Sequence, residues 1–144
     1  MKIIDNSKEI SSLLYLFKNT LPSLRNGIVN ITEFSEKIYK NGYVCVYEEN
    51  GIQKGFAAFY ANDSKNKTGY LSMIAVKDEY RRSNIGRQLL EFVESKSLWL
   101  GMNSLQLEVS KSNESAIAFY KKQGYTICSD STLSYYMIKT LQGE

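Results

Sequence analysis

A basic turn between an apolar strand and a long helix contains the residues best suited to chemistry in this chain. The apolar segment 73–76 leads into Arg81 and Arg82, and the helix that follows starts near Gly86 and carries Arg87 in its first turn. Backbone N–H groups at such a turn, together with the positive end of the helix dipole, form a site for an anion. Gly86 leaves room for a phosphate to approach the backbone. The alternative is a plain surface turn with solvated arginines.

The same turn lacks the features of the common nucleotide-binding loops. It has neither the Gly-Lys-Ser/Thr ending of a nucleoside-triphosphate loop nor three glycines in G-x-G-x-x-G spacing. The chain contains no histidine, which excludes a Ser-His triad and a His-based zinc site. The two cysteines, Cys45 and Cys128, are not in metal-binding spacing, and the apolar run around Cys45 predicts a buried thiol. The sequence therefore predicts no metal site.

Size and charge place further limits on the function. A chain of 144 residues suits one domain, predicted here to span residues 1–144. The net charge of +3 favours anionic ligands slightly but is too small to predict binding to nucleic acid. No apolar run approaches the roughly 20 residues that span a bilayer, and the residues after Met1 do not resemble a signal peptide. We therefore expect a cytoplasmic protein with no membrane or nucleic-acid partner.

The spacing of apolar residues predicts the helices that surround the turn. Ser7 is predicted to cap a first helix, with Pro22 near the end of its pattern. Thr32 is predicted to cap a second helix, which ends at Gly42. Further helices are predicted after the basic turn, as far as Gly101, and from an N-cap at Asn113 to Lys122.

Alternating and continuous apolar runs predict the strands. The pair Asn50-Gly51 predicts a tight β-hairpin, because both turn positions require a positive φ. Strands are predicted over residues 43–48, 53–60, 69–76, 105–109, 125–128 and 134–138. With one further short strand before the first helix, the predicted order is roughly βααβββαβαββ, which predicts an α/β domain with a mixed sheet.

Two blocks of the sequence resemble the signatures of a known family. Residues 81–86 resemble the Q/R-x-x-G-x-G/A signature that binds the coenzyme A pyrophosphate in the GNAT acetyltransferase superfamily. Residues 107–113 and 116–125 resemble its second hallmark, an L-E-V strand, an Asn and an A-x-x-x-Y-x-x-x-G-F/Y helix. The resemblance covers residues 69–127. It implies a single-domain GNAT fold, in which a mixed central β-sheet is flanked by about four helices, with acetyl-CoA as co-substrate and no metal.

The resemblance also implies a coenzyme site, residue by residue. The backbone of Ile74, Ala75 and Val76 should pair with the pantetheine arm as an added strand would. Asn113 should contact the coenzyme from the facing helix, a role compatible with an N-cap. The amides from Arg82 to Arg87 should hold the pyrophosphate, and Arg81 adds positive charge beside them. The residues of the turn expected at the coenzyme site are Arg81, Arg82, Ser83, Asn84, Ile85, Gly86 and Arg87. Asn84 stands where the family usually has a glycine, and Asn is the next best residue for a left-handed backbone.

A general acid and a general base follow from the same resemblance. Acetyl transfer requires a neutral amine and a proton for the departing thiolate. Tyr120 occupies the position of the acid in many family members, and the alternative for it is a core aromatic. Glu108 corresponds to the base of members that acetylate the N-terminus of a ribosomal protein, and we expect it to be partly buried. The alternative is a carboxylate that orders water or hydrogen-bonds the sheet.

Other aromatic residues have less specific interpretations. Tyr43, Tyr47, Tyr60 and Tyr70 are candidates for the lining of an acceptor pocket, although tyrosines also fill half-buried strand faces for structural reasons. Trp99, late in its helix, is expected to serve in packing.

The acceptor is left open by the sequence, because unrelated substrates share one fold and one coenzyme site. The leading hypothesis is an N-acetyltransferase that acts on a primary amine of a small molecule, an amino sugar or a peptide. The alternatives are a ribosomal-type protein N-terminal acetyltransferase and a non-catalytic acetyl-CoA sensor or docking domain. A toxin that acetylates charged transfer RNA is disfavoured by the modest charge. The oligomeric state also stays open, with a homodimer as one alternative.

Overall fold

The computed structural model describes residues 1–142, which form one mixed seven-stranded sheet with helices on both faces. The strands are β1 Lys2–Ile3, β2 Tyr43–Glu49, β3 Ile52–Tyr60, β4 Thr68–Val76, β5 Ser104–Ser110, β6 Thr126–Asp130 and β7 Ser134–Thr140. They lie in the order β1-β2-β3-β4-β5-β7-β6, and only β4 and β5 are parallel. The α/β class with a mixed sheet, predicted from the sequence, is confirmed.

Residues 1–142 contain five α-helices, whereas about four were expected: α1 Ser7–Leu16, α2 Pro22–Arg25, α3 Ile31–Asn41, α4 Ile85–Trp99 and α5 Glu114–Lys122. The additional helix is the single turn α2. Pro22, which we expected near the end of the first helix, begins this turn, where its missing N–H costs nothing.

The caps of the first two long helices differ from the prediction by one or two residues. Asn6, rather than Ser7, caps α1, and its Oδ1 accepts hydrogen bonds from the amides of Lys8 and Glu9. Asn30, rather than Thr32, caps α3. Both predictions were wrong because an asparagine one or two positions earlier provides an equally good acceptor for the first free amides.

Two hydrophobic cores form, one on each face of the sheet. One core lies between the sheet and helices α4 and α5, and it contains the fully buried Cys45. The other core lies between the sheet and helices α1 to α3. At Gly55 a Cβ would lie 2.9 Å from the Ala75 carbonyl oxygen and 3.0 Å from Leu89 Cδ1, so glycine is what allows β3 and α4 to approach so closely.

The hairpin between β2 and β3 forms as the sequence predicts. Asn50 and Gly51 have φ values of 54° and 77°, the left-handed conformations that a two-residue hairpin turn requires. The last two strands also form, but β7 lies between β5 and β6. Consequently the chain's final strand pairs with β5 over its full length, and β6 is an edge strand.

Strands β4 and β5 separate partway along the sheet. They pair only from Thr68–Leu71 against Ser104–Leu107. Just beyond, the register between β3 and β4 shifts, which leaves Ser72 without a partner and marks a bulge in β4. Because bulges bend a strand, β4 turns away from β5 and leaves an opening between them. The edge of β4 from Met73 to Val76 faces this opening.

The surface of the molecule differs from one expectation. Trp99 does not pack in the core: it is 78% exposed, with Lys96 Nζ 4.5 Å from its ring centroid. Trp99 lies on the outer face of α4, since its neighbours Leu98 and Leu100 pack against the core beneath that helix. Among the helices of residues 1–142, none combines the length and the apolar character needed to cross a membrane.

Candidate active site

The opening between β4 and β5 leads into a cleft of about 1070 Å³. It is lined by both separated strands, by the basic turn, by α5 and by the connection between α1 and α2. Most of the residues predicted from the sequence line this one cleft: Ile74, Ala75, Val76, Arg81, Arg82, Asn84, Gly86, Arg87, Glu108, Asn113 and Tyr120. Two widely separated sequence blocks therefore meet at a single site.

Two of the predicted residues do not line the cleft. The Ser83 hydroxyl donates a hydrogen bond to the Tyr80 carbonyl oxygen and so stabilises the turn. The Ile85 side chain is 5% exposed and belongs to the core beneath α4. At the site, Ser83 and Ile85 can therefore contact a ligand through their backbone groups.

The backbone of the basic turn is shaped to bind an anion. Arg82 and Asn84 have φ values of 69° and 66°, whereas Ser83 between them does not have a positive φ. This alternation directs successive N–H groups toward one concave side of the chain. Within residues 1–142, the amides from Arg82 to Arg87 donate to no protein acceptor. The left-handed Asn84 was predicted, but the same conformation at Arg82 was not.

Gly86 leaves space on the cleft side of the turn. A Cβ at this position would meet nothing nearer than Phe119 Cζ at 3.6 Å, which is ordinary van der Waals contact. The fold itself therefore tolerates a side chain here. The space above Gly86 is available to a ligand, at the N-terminus of α4, where the helix dipole favours negative charge.

The arginines of the turn differ in how they are held. Arg81 pairs with Asp78 at 3.1 Å, and its Nε donates to the Val76 carbonyl oxygen at 3.3 Å. Arg87 makes a longer contact of 3.7 Å with Glu91. Arg82 has no ion-pair partner in the part of the chain that the structure describes. All are exposed, so they add a positive field rather than a rigid clamp.

Tyr120 lies at the inner wall of the cleft, with 8% of its surface exposed. Its ring makes edge-to-face contacts with Phe119 and Tyr125, at centroid distances of 5.4 Å and 5.9 Å. Burial raises the pKa of the phenol to about 12, so Tyr120 is protonated throughout the neutral range. Tyr120 is therefore part of the core, as the alternative interpretation predicted, and its side chain also lines the cleft.

Glu108 reaches the cleft from the opposite face of β5. Its neighbours Leu107 and Val109 are buried in the core beneath α4, whereas Glu108 is exposed. The expectation of a partly buried carboxylate was wrong, because within residues 1–142 the helices on this face, α1 to α3, pack against β2 to β4 rather than against β5. Tyr136 lies directly across from Glu108 in the adjacent strand.

Asn113 acts as a helix cap and also lines the cleft. Its Oδ1 accepts hydrogen bonds from the amide of Ala116 at 3.2 Å and from the Ser115 hydroxyl at 3.3 Å. The side-chain amide nitrogen is not used in this cap, so the cap and a contact to a ligand are compatible.

Sequence reasoning missed several residues of the cleft wall. The segment Thr20–Ser23, which leads into α2 and includes its first two residues, was not predicted to approach the site, because nothing in its sequence indicates where it lies in space. Of the four candidate tyrosines only Tyr70 lines the cleft. Tyr43 and Tyr47 pack against the core beneath α4, and Tyr60 packs against the core beneath α1 to α3.

Comparison with known proteins agrees with this geometry. Residues 12–125 match the Acetyltransferase (GNAT) family. The 5-NmdU N-acetyltransferase of Pseudomonas phage PaMx11 is 31% identical over 97 residues, which cover 67% of this chain. The match spans 66% of the phage enzyme, just under two thirds of its length.

Solved structures with the same fold include acetyltransferases of distant sequence. The ribosomal-protein-S18-alanine N-acetyltransferase from Escherichia coli superposes with a TM-score of 0.78 at 21% identity, over 99% of this chain and 95% of that one. An N-acetyltransferase from Thermoplasma acidophilum, in complex with coenzyme A, superposes with a TM-score of 0.74 at 17% identity, over 96% and 98%. These likenesses concern the fold.

Proposed function

The chain belongs to the acetyltransferase (GNAT) family, and from that premise we propose that it transfers an acetyl group from acetyl-CoA to a primary amine of a small molecule, an amino sugar or a peptide. The observation that carries the proposal is the single cleft, which brings an anion-binding turn, an unpaired strand edge, a protonated phenol and an exposed carboxylate together. Each of these groups has a separate part in acetyl transfer.

The coenzyme end of the cleft comprises the β4 edge, the turn 81–87 and Asn113. The backbone of Ile74 to Val76 has an edge that faces the opening, so an extended amide-containing arm can add to the sheet there. The amides from Arg82 to Arg87 suit a pyrophosphate, because they are unpaired and converge. Bound acetyl-CoA supplies the acetyl thioester, whose carbon–sulfur bond breaks as the carbon–nitrogen bond of the product forms.

Tyr120 is the proposed general acid. Its phenol is protonated at neutral pH, and it donates that proton to the departing sulfur. Burial that raises the pKa of the phenol also disfavours a charged thiolate in the same place. The pKa values of the phenol and of the departing thiol are therefore raised together. Proton transfer from the phenol to the sulfur stays feasible although the phenol is a weak acid.

Glu108 is the proposed general base at the acceptor end, which comprises Tyr70, Glu108, Ser110 and Ser134. Its carboxylate is exposed in the cleft, so it can attract an ammonium ion and accept the proton that the amine must lose. Because Glu108 and the core beneath α4 lie on opposite faces of β5, acceptor and coenzyme approach the opening from opposite faces of the sheet.

An acceptor screen tests the proposal. Acetyl-CoA consumption is measured with the purified chain over polyamines, amino sugars, aminoglycosides, amino acids, peptides and 5-NmdU, the acceptor named for the phage relative. We expect at least one primary amine to be acetylated, with the product confirmed by a mass increase of one acetyl group, and the Tyr120→Phe protein to be far slower. Tight binding of acetyl-CoA without turnover of any amine would contradict the proposal and favour a sensor.

A further inference from the structure

The acceptor end of the cleft carries very little charge. Of the residues 1–142 that line the cleft, Glu108 is the single acidic one. The basic residues of the lining are Arg81, Arg82 and Arg87 in the turn and Lys122 on α5, all outside the acceptor end. An incoming ligand therefore meets one negative charge at one end of the cleft and a positive field at the other.

A neutral aromatic ring lies beside this one carboxylate. In the parallel pair of β4 and β5, Tyr70 lies across from Gln106, two residues before Glu108 on the same face, and both Tyr70 and Glu108 line the cleft. Burial raises the pKa of the half-buried Tyr70 phenol, and the Glu108 charge raises it further, so the phenol stays neutral. A carboxylate beside an aromatic ring attracts a single ammonium ion through charge and through the ring face.

The remaining neighbours on this face are uncharged. Tyr136 lies across from Glu108, and the next pair along is Ser110 with Ser134. The nearby charges of Lys111 and Asp130 pair with each other at 2.8 Å. Within residues 1–142, the side chains around Glu108 therefore offer hydrogen bonds and ring faces but no second anionic partner.

We propose that the acceptor is a monocation, an amine that carries no positive charge other than its reacting ammonium group, which is recognised by Glu108 and Tyr70. This inference rests on the proposed acetyltransferase function and narrows its acceptor class. A second ammonium group would lose part of its hydration in the cleft without gaining a carboxylate, and it would also be repelled by the basic residues at the coenzyme end. Polyamines and aminoglycosides are therefore poor acceptors.

A matched pair of amines tests the charge count. The compounds 1-aminopentane and cadaverine share one carbon chain and differ in a second amine. At neutral pH and saturating acetyl-CoA, kcat/KM is expected to be at least about tenfold higher for 1-aminopentane, although cadaverine offers two reactive groups. Across the whole acceptor panel, the amine with the highest kcat/KM is expected to be singly charged.

A variant that adds a charge to the acceptor end also tests the preference for singly charged amines. Ser134→Glu places a second carboxylate at the acceptor end and should raise the kcat/KM of cadaverine relative to 1-aminopentane by about fivefold or more. Ser134→Gln matches it in size without the charge and should leave that ratio unchanged. Tyr70→Phe keeps the ring and should raise KM less than Tyr70→Leu does.

The outcomes separate the inference from the function on which it rests. A multiply charged amine with the highest kcat/KM in the panel, or an unchanged ratio in an active Ser134→Glu protein, would overturn the inference and leave N-acetylation standing. If no amine is acetylated at all, the proposed function falls, and the inference falls with it.

Discussion

The coenzyme end of the cleft is built mostly from backbone, whereas the acceptor end is built from side chains. At the coenzyme end, the edge of β4 and the amides of 82–87 present their hydrogen-bonding groups whatever the side chains are, provided that the turn can form. At the acceptor end, the groups that Tyr70 and Glu108 present to the cleft are a ring and a carboxylate. A site made of backbone groups restricts the residue type at only a few positions, and those positions form a recognisable motif. The residues of a site made of side chains differ from one acceptor to another.

The largest effect is expected from Tyr120→Phe, which removes the proton donor and keeps the ring. Turnover should fall by roughly 10²–10⁴, with little change in affinity for acetyl-CoA. Stopped-flow or steady-state kinetics give kcat, and calorimetry gives the affinity. If chemistry limits the rate and kcat stays at the wild-type value, Tyr120 only packs against Phe119 and Tyr125.

Burial also fixes the sign of the pH dependence expected from Tyr120. Since its pKa lies near 12, the phenol keeps its proton across the neutral and mildly alkaline range, and deprotonation removes the acid only at higher pH. Tyr120 should therefore cause no loss of kcat on raising the pH through that range. A loss there that disappears in Tyr120→Phe would contradict the burial of the phenol.

A smaller effect is expected at the acceptor end. Glu108→Gln keeps the size of the side chain but cannot accept the proton of the amine, so most of the activity should be lost. Steady-state kinetics of the variant with acceptors of different basicity measure this loss. A kcat/KM that stays at the wild-type value for every acceptor would exclude Glu108 as the base.

The smallest effect is expected at Tyr125, whose ring packs against that of Tyr120. The Tyr125 hydroxyl donates a hydrogen bond of 2.7 Å to Glu94, which also accepts one from Lys139. Tyr125→Phe should lower the free energy of unfolding by about 1–2 kcal/mol, because one partner of a largely buried carboxylate is lost. Denaturant titration measures it, with the exposed Tyr15→Phe as a control that should change stability by about 0.5 kcal/mol at most. Equal stability of the two variants would show that this bond contributes nothing.

The features that the sequence predicts are those determined by local backbone preferences. Asn50 and Gly51 adopt the left-handed conformations of a hairpin because few other residues can, and Asn84 does so in the turn for the same reason. Cys45 is buried as its apolar neighbours indicate. Family membership follows from two such blocks, and the family comparison confirms it.

The features that the sequence does not predict depend on contacts between distant segments. The insertion of β7 between β5 and β6 leaves no local signal, and neither does the position of Thr20–Ser23 at the cleft. Alternation along β5 correctly places Glu108 opposite Leu107, but its exposure depends on helices α1 to α3, which pack against β2 to β4 on that face. Trp99 is exposed because it lies on the outer face of α4, while its neighbours Leu98 and Leu100 pack against the core.

Binding of acetyl-CoA to variants of Gly86 tests the central claim most directly. Since a Cβ at this position meets only ordinary contacts, Gly86→Ala and Gly86→Asp should both fold, and any loss of binding belongs to the ligand. Calorimetry should show weaker binding for Gly86→Ala and none for Gly86→Asp, whose carboxylate repels a pyrophosphate. The control Gln88→Asp adds the same charge outside the cleft and should bind nearly as well as the wild type. Unchanged affinity in a folded Gly86→Asp protein would contradict the assignment of the turn as the coenzyme site.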